Sequence, residues 1–266
     1  MTRPRRRRLD LALTCLLALA GCGEGGTATP PQGTIGLYSS LPIAWNESAD
    51  LRGLLADEAP PHWALKTLRG RGRVIPLDTL ADREGKLPLP ADGVLVLAQP
   101  RPLMPQENVA LDAWVRAGGR VLLFADPMLT AESLFGPGDP RRPQDIAMLS
   151  TILARWGLAQ TFEFDQPTGE RTVPLPEGDL PVNLPGVFAI SGNAGDGVGK
   201  DGDVVARCHL EADGLLADCI SGKGRILAIS DAALLENPED SGAVPLRRMI
   251  LGGLLDRLSS SAGSGK

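Results

Sequence analysis

Residues 110–127 read ALDAWVRAGGRVLLFADP, and the clearest indication of the fold lies in this stretch. Leu111, Trp114 and Val115 recur at helical spacing, and two glycines follow where the helix would end. The next apolar run, VLLFA, closes on an Asp-Pro pair, and an earlier run at residues 93–98, GVLVLA, reads as the preceding strand. A strand–helix–strand unit joins parallel neighbours. The sequence therefore predicts a sheet with a parallel, buried centre.

The same alternation continues on both sides of this stretch. Further strands are predicted from residue 34 (TIGLYS) and at 73–77 (RVIPL), and GRILAISD near the end of the chain repeats the pattern of GRVLLFAD. Predicted helices begin near residue 48, at residue 62, at Pro143 (through Gly157) and near Val244. These elements predict one α/β domain at residues 34–258, with helices on both faces of the sheet and an antiparallel hairpin insertion. Residues 259–266 are expected to form a frayed, disordered tail.

The amino terminus has the pattern of an export signal. MTRPRRRR carries five arginines and precedes an apolar run of about a dozen residues, which is too short to span a bilayer. The run ends in LAGC at residues 19–22 and resembles a bacterial lipobox. We therefore expect a signal peptide at residues 1–21, lipidation of Cys22, and a flexible lipid-anchored linker at residues 22–33.

The charge balance argues against a polyanionic partner. The whole chain has 27 Lys and Arg against 32 Asp and Glu, a net charge of −5. Loss of the predicted signal, which holds five Arg and one Asp, would leave a net charge of −9. Because nucleic acid binding depends on a basic surface that releases counterions, no nucleic acid partner is expected.

Two cysteines remain after the predicted signal and lipid site are set aside. Cys208 and Cys219 lie on either side of Asp213-Gly214, a strong two-residue hairpin signal. A hairpin folded at that turn places the two thiols directly opposite each other, within disulfide reach. A Cys208–Cys219 disulfide is predicted for an oxidising compartment, and two free buried thiols are the alternative.

Two predicted strands end in an aspartate, Asp126 and Asp231. The carboxyl ends of parallel strands meet at one edge of an open α/β sheet, where ligands commonly bind. Two carboxylates there could hold a hard cation or work as an acid–base pair, which makes a metal-assisted hydrolase one hypothesis. The simpler interpretation is that each aspartate caps the element that follows it, because both local sequences suit a cap.

Other catalytic and cofactor motifs do not occur in the sequence. There is no GxSxG nucleophile elbow, no HExxH pair and no GxGxxG after the first strand. The glycine-rich segment GNAGDGVGKDGD lacks the first glycine of a phosphate-binding loop, and Asp201 follows Lys200 where Ser or Thr is needed. The sequence predicts no cofactor and no metal.

The segment from DGVLVLAQPRP to GGRVLLFADP, together with GRILAISDAALLEN, resembles the GldG-like domain of auxiliary proteins of ABC-type transport systems. That resemblance implies a flavodoxin-like, class I glutamine amidotransferase-like fold. In the amidotransferases the corresponding turn carries a nucleophilic cysteine, whereas here it reads Ala125-Asp126-Pro127, so the resemblance implies that catalysis has been lost.

These observations together predict a non-catalytic periplasmic lipoprotein that serves an ABC-type transport system. Its membrane contact would be the lipid anchor, with the outer membrane favoured over the inner, and a permease–ATPase complex is the expected partner. The predicted ligand or partner rim is Gln99, Arg101, Asp126 and Asp231. The alternatives are the metal-assisted hydrolase using both aspartates, and an envelope scaffold whose rim would be flat and plugged by side chains.

Overall fold

Eleven strands organise the part of the chain that the computed structural model describes, residues 33–47, 60–191, 206–238 and 240–260. In chain order they are β1 (Thr34–Ser39), β2 (Arg73–Pro76), β3 (Val94–Ala98), β4 (Arg120–Phe124), β5 (Leu158–Thr161), β6 (Arg171–Leu175), β7 (Gly178–Val182), β8 (Val187–Ile190), β9 (Arg207–Glu211), β10 (Leu216–Ser221) and β11 (Gly224–Ile229).

Seven of these strands form the main sheet, in the order β2-β1-β3-β4-β11-β10-β9. The first five run parallel, and β10 and β9 complete one side as an antiparallel pair. Every residue of β3, VLVLA, is buried. A continuous apolar strand without alternation is typical of a sheet covered on both faces, which agrees with the two separate cores found here.

Each face of the sheet is covered by two helices. Helix α1 (Trp63–Arg69) and helix α4 (Val244–Ser259) share one core with the sheet. Helix α2 (Pro105–Ala117) and the short helix α3 (Ser150–Arg155) share the other. Among the described residues, the segments that follow the carboxyl ends of the five parallel strands are loops and short turns.

The two glycines after α2 allow it to approach the sheet closely. Gly118 ends the helix at φ 131° and donates its N–H to the Trp114 and Val115 carbonyls. A Cβ on Gly119 would lie 2.3 Å from the Trp114 ring, and one on Gly224 would lie 2.0 Å from the Val115 carbonyl oxygen. Only glycine fits where strands β4 and β11 begin beneath the helix.

The helix predicted at residues 143–157 is mostly absent, because only Ser150–Arg155 is helical. Backbone N–H groups of the preceding segment donate hydrogen bonds to other parts of the fold instead. The N–H of Gln144 donates to the Ser40 hydroxyl at 3.0 Å, and the N–H of Ala147 donates to the Asp126 carbonyl at 2.9 Å. Tertiary hydrogen bonds have replaced the intrahelical ones, which no local pattern reveals.

The predicted antiparallel hairpin is not an insertion. Strands β9 and β10 extend the main sheet beyond β11, and the additional antiparallel pairs are β5–β8 and β6–β7. Cys208 lies opposite Cys219 in the β9–β10 ladder, and their sulfurs are bonded at 1.99 Å. The connection is longer than a two-residue turn and places Ala212 and Asp213 at φ 49° and 54°.

Several predictions fall outside the described residues. These are the signal peptide at residues 1–21, the lipid site Cys22, most of the 22–33 linker, the helix near residue 48 and the glycine-rich segment at 192–203. Within the described ranges, none of the helices has the length and apolar character that crossing a membrane requires.

Candidate functional site

The carboxyl edge of the sheet is held together by the side chain of Gln99. This residue follows β3, is fully buried, and has a φ of 46°, which is uncommon for a residue other than glycine. Its amide nitrogen donates to the carbonyls of Asp126 (3.0 Å) and Gln144 (2.8 Å), and its amide oxygen accepts the N–H of Asp126 at 2.8 Å. Gln99 therefore braces the loop after β4.

Asp126 is fully buried and caps two loops at once. One carboxylate oxygen accepts the Met128 N–H at 2.8 Å, and the other accepts the Ala232 N–H at 3.1 Å. Burial raises the pKa of Asp126 to about 6, although both backbone hydrogen bonds act in the opposite direction. The carboxyl joins the loop after β4 to the loop after β11.

Asp231 has the same role one strand further along. It is 1% exposed, and its carboxylate accepts the N–H groups of Ala233 (2.6 Å) and Asn183 (2.9 Å). Burial raises the pKa of Asp231 well above its ordinary value, and the charge of Asp126 raises it further. Each aspartate accepts the backbone N–H two residues further on, but neither is the N-cap of a helix as predicted. Residues 127–149 after Asp126 contain no helix, and Ala232 is the N-cap of the short 3-10 turn after Asp231.

This geometry does not suit a metal site built on the two aspartates. All four of their carboxylate oxygens accept backbone N–H groups, which leaves them poorly placed to ligate a cation. In the described ranges, no group of three or more His, Cys, Asp or Glu side chains is arranged to hold a metal ion.

The four residues of the predicted rim do not form one accessible surface. Gln99, Asp126 and Asp231 lie close together but beneath the surface. Arg101 is exposed and donates to the Pro140 carbonyl at 3.0 Å. The edge carries its accessible polar groups elsewhere, in a cavity that the sequence did not indicate.

That cavity has a volume of about 660 Å³ and opens at the same edge of the sheet. Its walls come from the segments that follow β1, β4, β7 and β11, from the segments before α1 and β6, and from the start of α4. An envelope scaffold was expected to have a flat rim plugged by side chains, whereas this edge has an open cavity. The polar and charged residues lining it are His62, Thr130, Glu132, Glu170, Asn183, Glu236, Asn237, Asp240 and Arg247.

Glu236 lies in this cavity because a short 3-10 turn, Ala233–Leu235, follows Asp231 and ends there. Its backbone carbonyl accepts the Trp63 indole N–H at 3.2 Å, and its carboxylate accepts the Thr130 hydroxyl at 3.4 Å. Burial raises the pKa of Glu236 to about 7, with a further contribution from the charge of Asp126. A substantial fraction of Glu236 is therefore protonated at neutral pH.

Glu170 has a different environment in the same cavity. Its carboxylate pairs with the guanidinium of Arg247, whose side chain is 2% exposed, whereas that of Glu170 is 48% exposed. Arg247 also donates to the carbonyls of Ala233 and Leu234, so it supports the turn that precedes Glu236. The guanidinium thus holds one carboxylate and, through the turn, positions the other.

His62 is the histidine of the cavity wall, and burial lowers its pKa to about 4. Its Nδ1 accepts the N–H of Ala64 at 3.2 Å, where it caps helix α1. The ring is neutral at physiological pH and leaves Nε2 as the protonated nitrogen.

The sequence pointed to the edge of the sheet where this cavity lies, but not to the residues that line it. The repeat of GRVLLFAD in GRILAISD pointed to the ends of β4 and β11, and Glu236 is five residues beyond Asp231, the last residue of the second run. Glu170 and Arg247 come from a loop and a helix start that are distant in sequence. No spacing rule relates the three, because the tertiary fold brings them together.

No protein-family model matches this chain, and no curated protein does. Solved structures with a similar fold include an exo-β-1,4-mannosidase from an Opitutaceae bacterium, at 11% identity and a TM-score of 0.46, covering 86% of this chain and 36% of that one. They include a GH42 β-galactosidase from G. stearothermophilus at 12% identity and a TM-score of 0.43, covering 86% and 30%. Cytoplasmic protein STM1381 from Salmonella typhimurium LT2 has 11% identity and a TM-score of 0.45, covering 85% and 99%.

The predicted family is wrong by these comparisons. The chain matches no GldG-like or amidotransferase-like family model, and the structures named above are two glycosidases and a cytoplasmic protein. The flavodoxin-like assignment is corrected with it, and the description that stands is α/β with a seven-stranded, mostly parallel sheet. This chain spans about a third of each of the two glycosidases. At TM-scores below 0.5, their activities are not assigned to this chain.

The functional predictions that depended on that family are wrong as well. The non-catalytic accessory of an ABC-type transport system is corrected because no family model supports the family on which it depended. The predicted envelope localisation is not supported by the comparisons, in which the neighbour that matches over nearly its whole length is titled a cytoplasmic protein. That title describes the neighbour alone, and the predicted anchor at Cys22 lies outside the described residues.

Proposed function

We propose that the cavity at the carboxyl edge is the active site of a hydrolase that uses general acid–base catalysis, with Glu236 as the acid and Glu170 as the base. The observation that carries this proposal is that two carboxyls of unlike environment line one cavity of about 660 Å³. Glu236 is desolvated and accepts a hydroxyl, and Glu170 is more exposed and paired with Arg247.

The roles of Glu236 and Glu170 are inferred from the difference between their environments. Enzymes commonly separate an acid from a base by giving two similar carboxyls different surroundings. The pKa of Glu236 is raised to about 7, so a substantial fraction carries a proton at neutral pH, and this value is close to the one at which proton transfer is most effective. The side chain of Glu170 is 48% exposed, so its carboxylate can contact a water molecule in the cavity, while Arg247 fixes its position.

The hydrolytic step follows from these roles. Glu170 takes a proton from a water molecule as the water oxygen forms a bond to the electrophilic atom of the substrate. The bond from that atom to the leaving group breaks, and Glu236 donates its proton to the departing oxygen or nitrogen. Proton transfer between product, water and the two carboxyls then restores the starting state, so no oxidant, reductant or metal ion is needed.

The test is a turnover screen with chromogenic esters, amides and glycosides, followed by substitution of the acid. Glu236→Gln keeps the size of the side chain and an acceptor for the Thr130 hydroxyl but cannot donate the proton. We expect kcat to fall by about a hundredfold or more, as general acid–base groups contribute about 10² to 10⁴. Glu84→Gln is the matched control, since Glu84 is exposed and pairs only with Lys86 among the described residues.

Two outcomes would contradict the proposal. One is a hydrolytic activity that Glu236→Gln and Glu170→Gln both leave at the level of the control. The other is the absence of turnover for all three substrate classes in a protein that is shown to be folded.

A further inference from the structure

Asn183 provides a hydrogen-bond donor in the wall of the cavity at the carboxyl edge. Its side-chain oxygen Oδ1 accepts the backbone N–H of Gly169 at 3.1 Å. Because an amide can accept such an N–H only through its oxygen, this contact fixes which end of the amide faces Gly169. The other end, Nδ2, carries two N–H groups, so Asn183 is oriented to donate and not to accept on its remaining side.

His62 provides a second donor in the wall of the same cavity. Its Nδ1 accepts the backbone N–H of Ala64 at 3.2 Å, so Nδ1 carries a lone pair and not a proton. Burial lowers the pKa of the ring to about 4, and at pH 7 the single ring proton is therefore on Nε2. The imidazole thus offers an N–H donor without a positive charge.

Each donor lies next to one of the two carboxyl residues of the proposed active site. The side chain of Asn183 is hydrogen-bonded to the residue that precedes Glu170. His62 precedes Trp63, whose indole N–H donates to the backbone carbonyl of Glu236 at 3.2 Å. The wall of one cavity therefore carries the acid, the base and two neutral N–H donors.

The backbone that carries each donor is anchored. The N–H of Asn183 donates to the Asp231 carboxylate at 2.9 Å, and the carbonyl of His62 accepts the Lys66 N–H at 3.1 Å in the first turn of α1. Donors that are held in place before the reaction stabilise a developing negative charge without the cost of reorganising around it.

Two neutral N–H donors suit an oxygen that gains negative charge during the reaction. In the hydrolysis of an ester or amide, attack by water converts the carbonyl oxygen into an oxyanion, which such donors stabilise. In the hydrolysis of a glycoside, the reacting carbon gains positive charge, and N–H donors do not stabilise that charge. Among the three substrate classes, the donors therefore favour the two that contain a carbonyl group.

We propose that the substrate of this cavity is an ester or amide whose carbonyl oxygen accepts hydrogen bonds from Nδ2 of Asn183 and Nε2 of His62. The inference rests on the proposed hydrolase, since it names the substrate class of the same site. Glu170 takes a proton from water as the water oxygen bonds to the carbonyl carbon, and the π electron pair moves onto the carbonyl oxygen. That pair re-forms the C=O bond as the bond to the leaving group breaks, and Glu236 protonates the leaving group.

The first measurement compares turnover of p-nitrophenyl acetate, p-nitroacetanilide and p-nitrophenyl β-glucoside by the full chain at pH 7. We expect turnover of the ester or the amide and none of the glucoside. Asn183→Asp keeps an acceptor for the Gly169 N–H but has no N–H donor. His62→Asn keeps an acceptor for the Ala64 N–H but removes the donor at Nε2.

Each of these substitutions is expected to lower kcat by about a hundredfold, because loss of one oxyanion donor costs about 10² to 10³. KM should change little, since the oxyanion exists only beyond the ground state. Gln106→Glu is the matched control and should leave kcat unchanged, because it makes the same change from amide to carboxyl at an exposed position of α2 that is not part of the cavity lining.

The second measurement needs no turnover. Fluorine-19 NMR follows the binding of trifluoroacetophenone, a ketone whose hydrate has the tetrahedral geometry of the intermediate, and trifluoromethylbenzene is the matched ligand without a carbonyl. We expect the ketone to bind at least about tenfold more tightly than trifluoromethylbenzene. Asn183→Asp and His62→Asn should each weaken ketone binding by about threefold to tenfold, as loss of one hydrogen bond does. Asn183→Leu, which adds no charge, should have the same effect as Asn183→Asp.

The outcomes separate this inference from the proposed function. Ketone binding that depends on both donors supports the inference, even where no substrate is turned over and the hydrolase proposal fails. A glucosidase activity that is lost in Glu236→Gln overturns the inference and leaves the hydrolase proposal intact. Activity on the ester or amide that Asn183→Asp and His62→Asn leave at the level of Gln106→Glu also overturns it. Ketone binding that is no tighter than that of trifluoromethylbenzene, or that both substitutions leave unchanged, overturns it as well.

Discussion

Asp126, Asp231 and Glu236 lie near one another at the carboxyl edge of the sheet, and they differ in their exposure to solvent. The two aspartates are buried and accept four backbone N–H groups between them. Glu236 reaches the cavity wall, because the turn after Asp231 carries it there. A carboxyl whose oxygens all accept backbone N–H groups has a structural role, whereas one that reaches the cavity is available for proton transfer.

These three groups predict how stability depends on pH. Their folded-state pKa values are all raised, to about 6 for Asp126, well above ordinary for Asp231 and to about 7 for Glu236, whereas carboxyls in the unfolded chain titrate near 4. The folded protein therefore binds more protons than the unfolded chain between about pH 4 and 7. The free energy of unfolding must fall as pH rises through this interval.

We expect the free energy of unfolding to fall by about 1–3 kcal/mol between pH 6 and pH 8, since each proton released per pH unit costs about 1.4 kcal/mol. His62 acts in the opposite direction, but mainly below pH 6.5, where it would charge in the unfolded chain. Urea denaturation at the two pH values measures the difference, and Glu236→Gln should reduce it. A stability that is constant or rises from pH 6 to pH 8 would show that these carboxyls are ionised in the folded protein.

At the scale of elements, close contact between helix α2 and the beginnings of β4 and β11 sets the geometry of the parallel sheet. Gly224→Ala would place a Cβ 2.0 Å from the Val115 carbonyl oxygen and 2.4 Å from that of Gly119. Because backbone cannot move aside cheaply, we expect a loss of about 1–3 kcal/mol, as for other overpacked sites. Thermal or urea unfolding measures it.

Gly136→Ala is the matched control for this substitution. A Cβ there has no atom within 4 Å, and Gly136 is not among the glycines with positive φ. We expect it to change stability by less than about 0.5 kcal/mol, as at other surface sites. If both substitutions cost the same, close packing beneath α2 is not what selects glycine.

The β9–β10 hairpin is stabilised by the bond between Cys208 and Cys219, which are 11 residues apart. A disulfide that closes a loop of this size stabilises by about 3 kcal/mol, chiefly by restricting the unfolded chain. Urea unfolding with and without a phosphine reductant should show a loss of about 2–3 kcal/mol on reduction. The double variant Cys208→Ser, Cys219→Ser should be as unstable as the reduced protein and indifferent to reductant, and an equally stable reduced protein would contradict this account.

Strands and helices were predictable where a short stretch of sequence is enough to specify them. The run VLVLA and the helix ending in two glycines specify strand and helix within a few residues, and the register of Cys208 with Cys219 follows from turn position alone. The helix predicted from Pro143 failed because Gln144 and Ala147 bind the distant residues Ser40 and Asp126. The spacing of apolar residues along the sequence does not show where tertiary hydrogen bonds will replace those of a helix.

At the scale of the whole molecule, the candidate site was less predictable than the sheet. The ends of β4 and β11 were identifiable because Asp126 and Asp231 close two similar apolar runs. Which carboxyls reach solvent depends on turn length after each strand and on the start of α4, which supplies Arg247. The cavity is a product of several loops meeting at one edge, and its acidity follows from residues more than 100 positions apart in sequence, such as Glu132 and Asp240.

The account depends most on one property of the molecule, the raised pKa of Glu236 at the wall of a solvent-accessible cavity. The direct measurement is a carbon-13 NMR titration of protein labelled at the glutamate carboxyl carbons, with the Glu236 resonance assigned by its absence in Glu236→Gln. The account predicts an apparent pKa near 7 for this carboxyl. A midpoint of about 4.3, the value of an unperturbed glutamate, would contradict it.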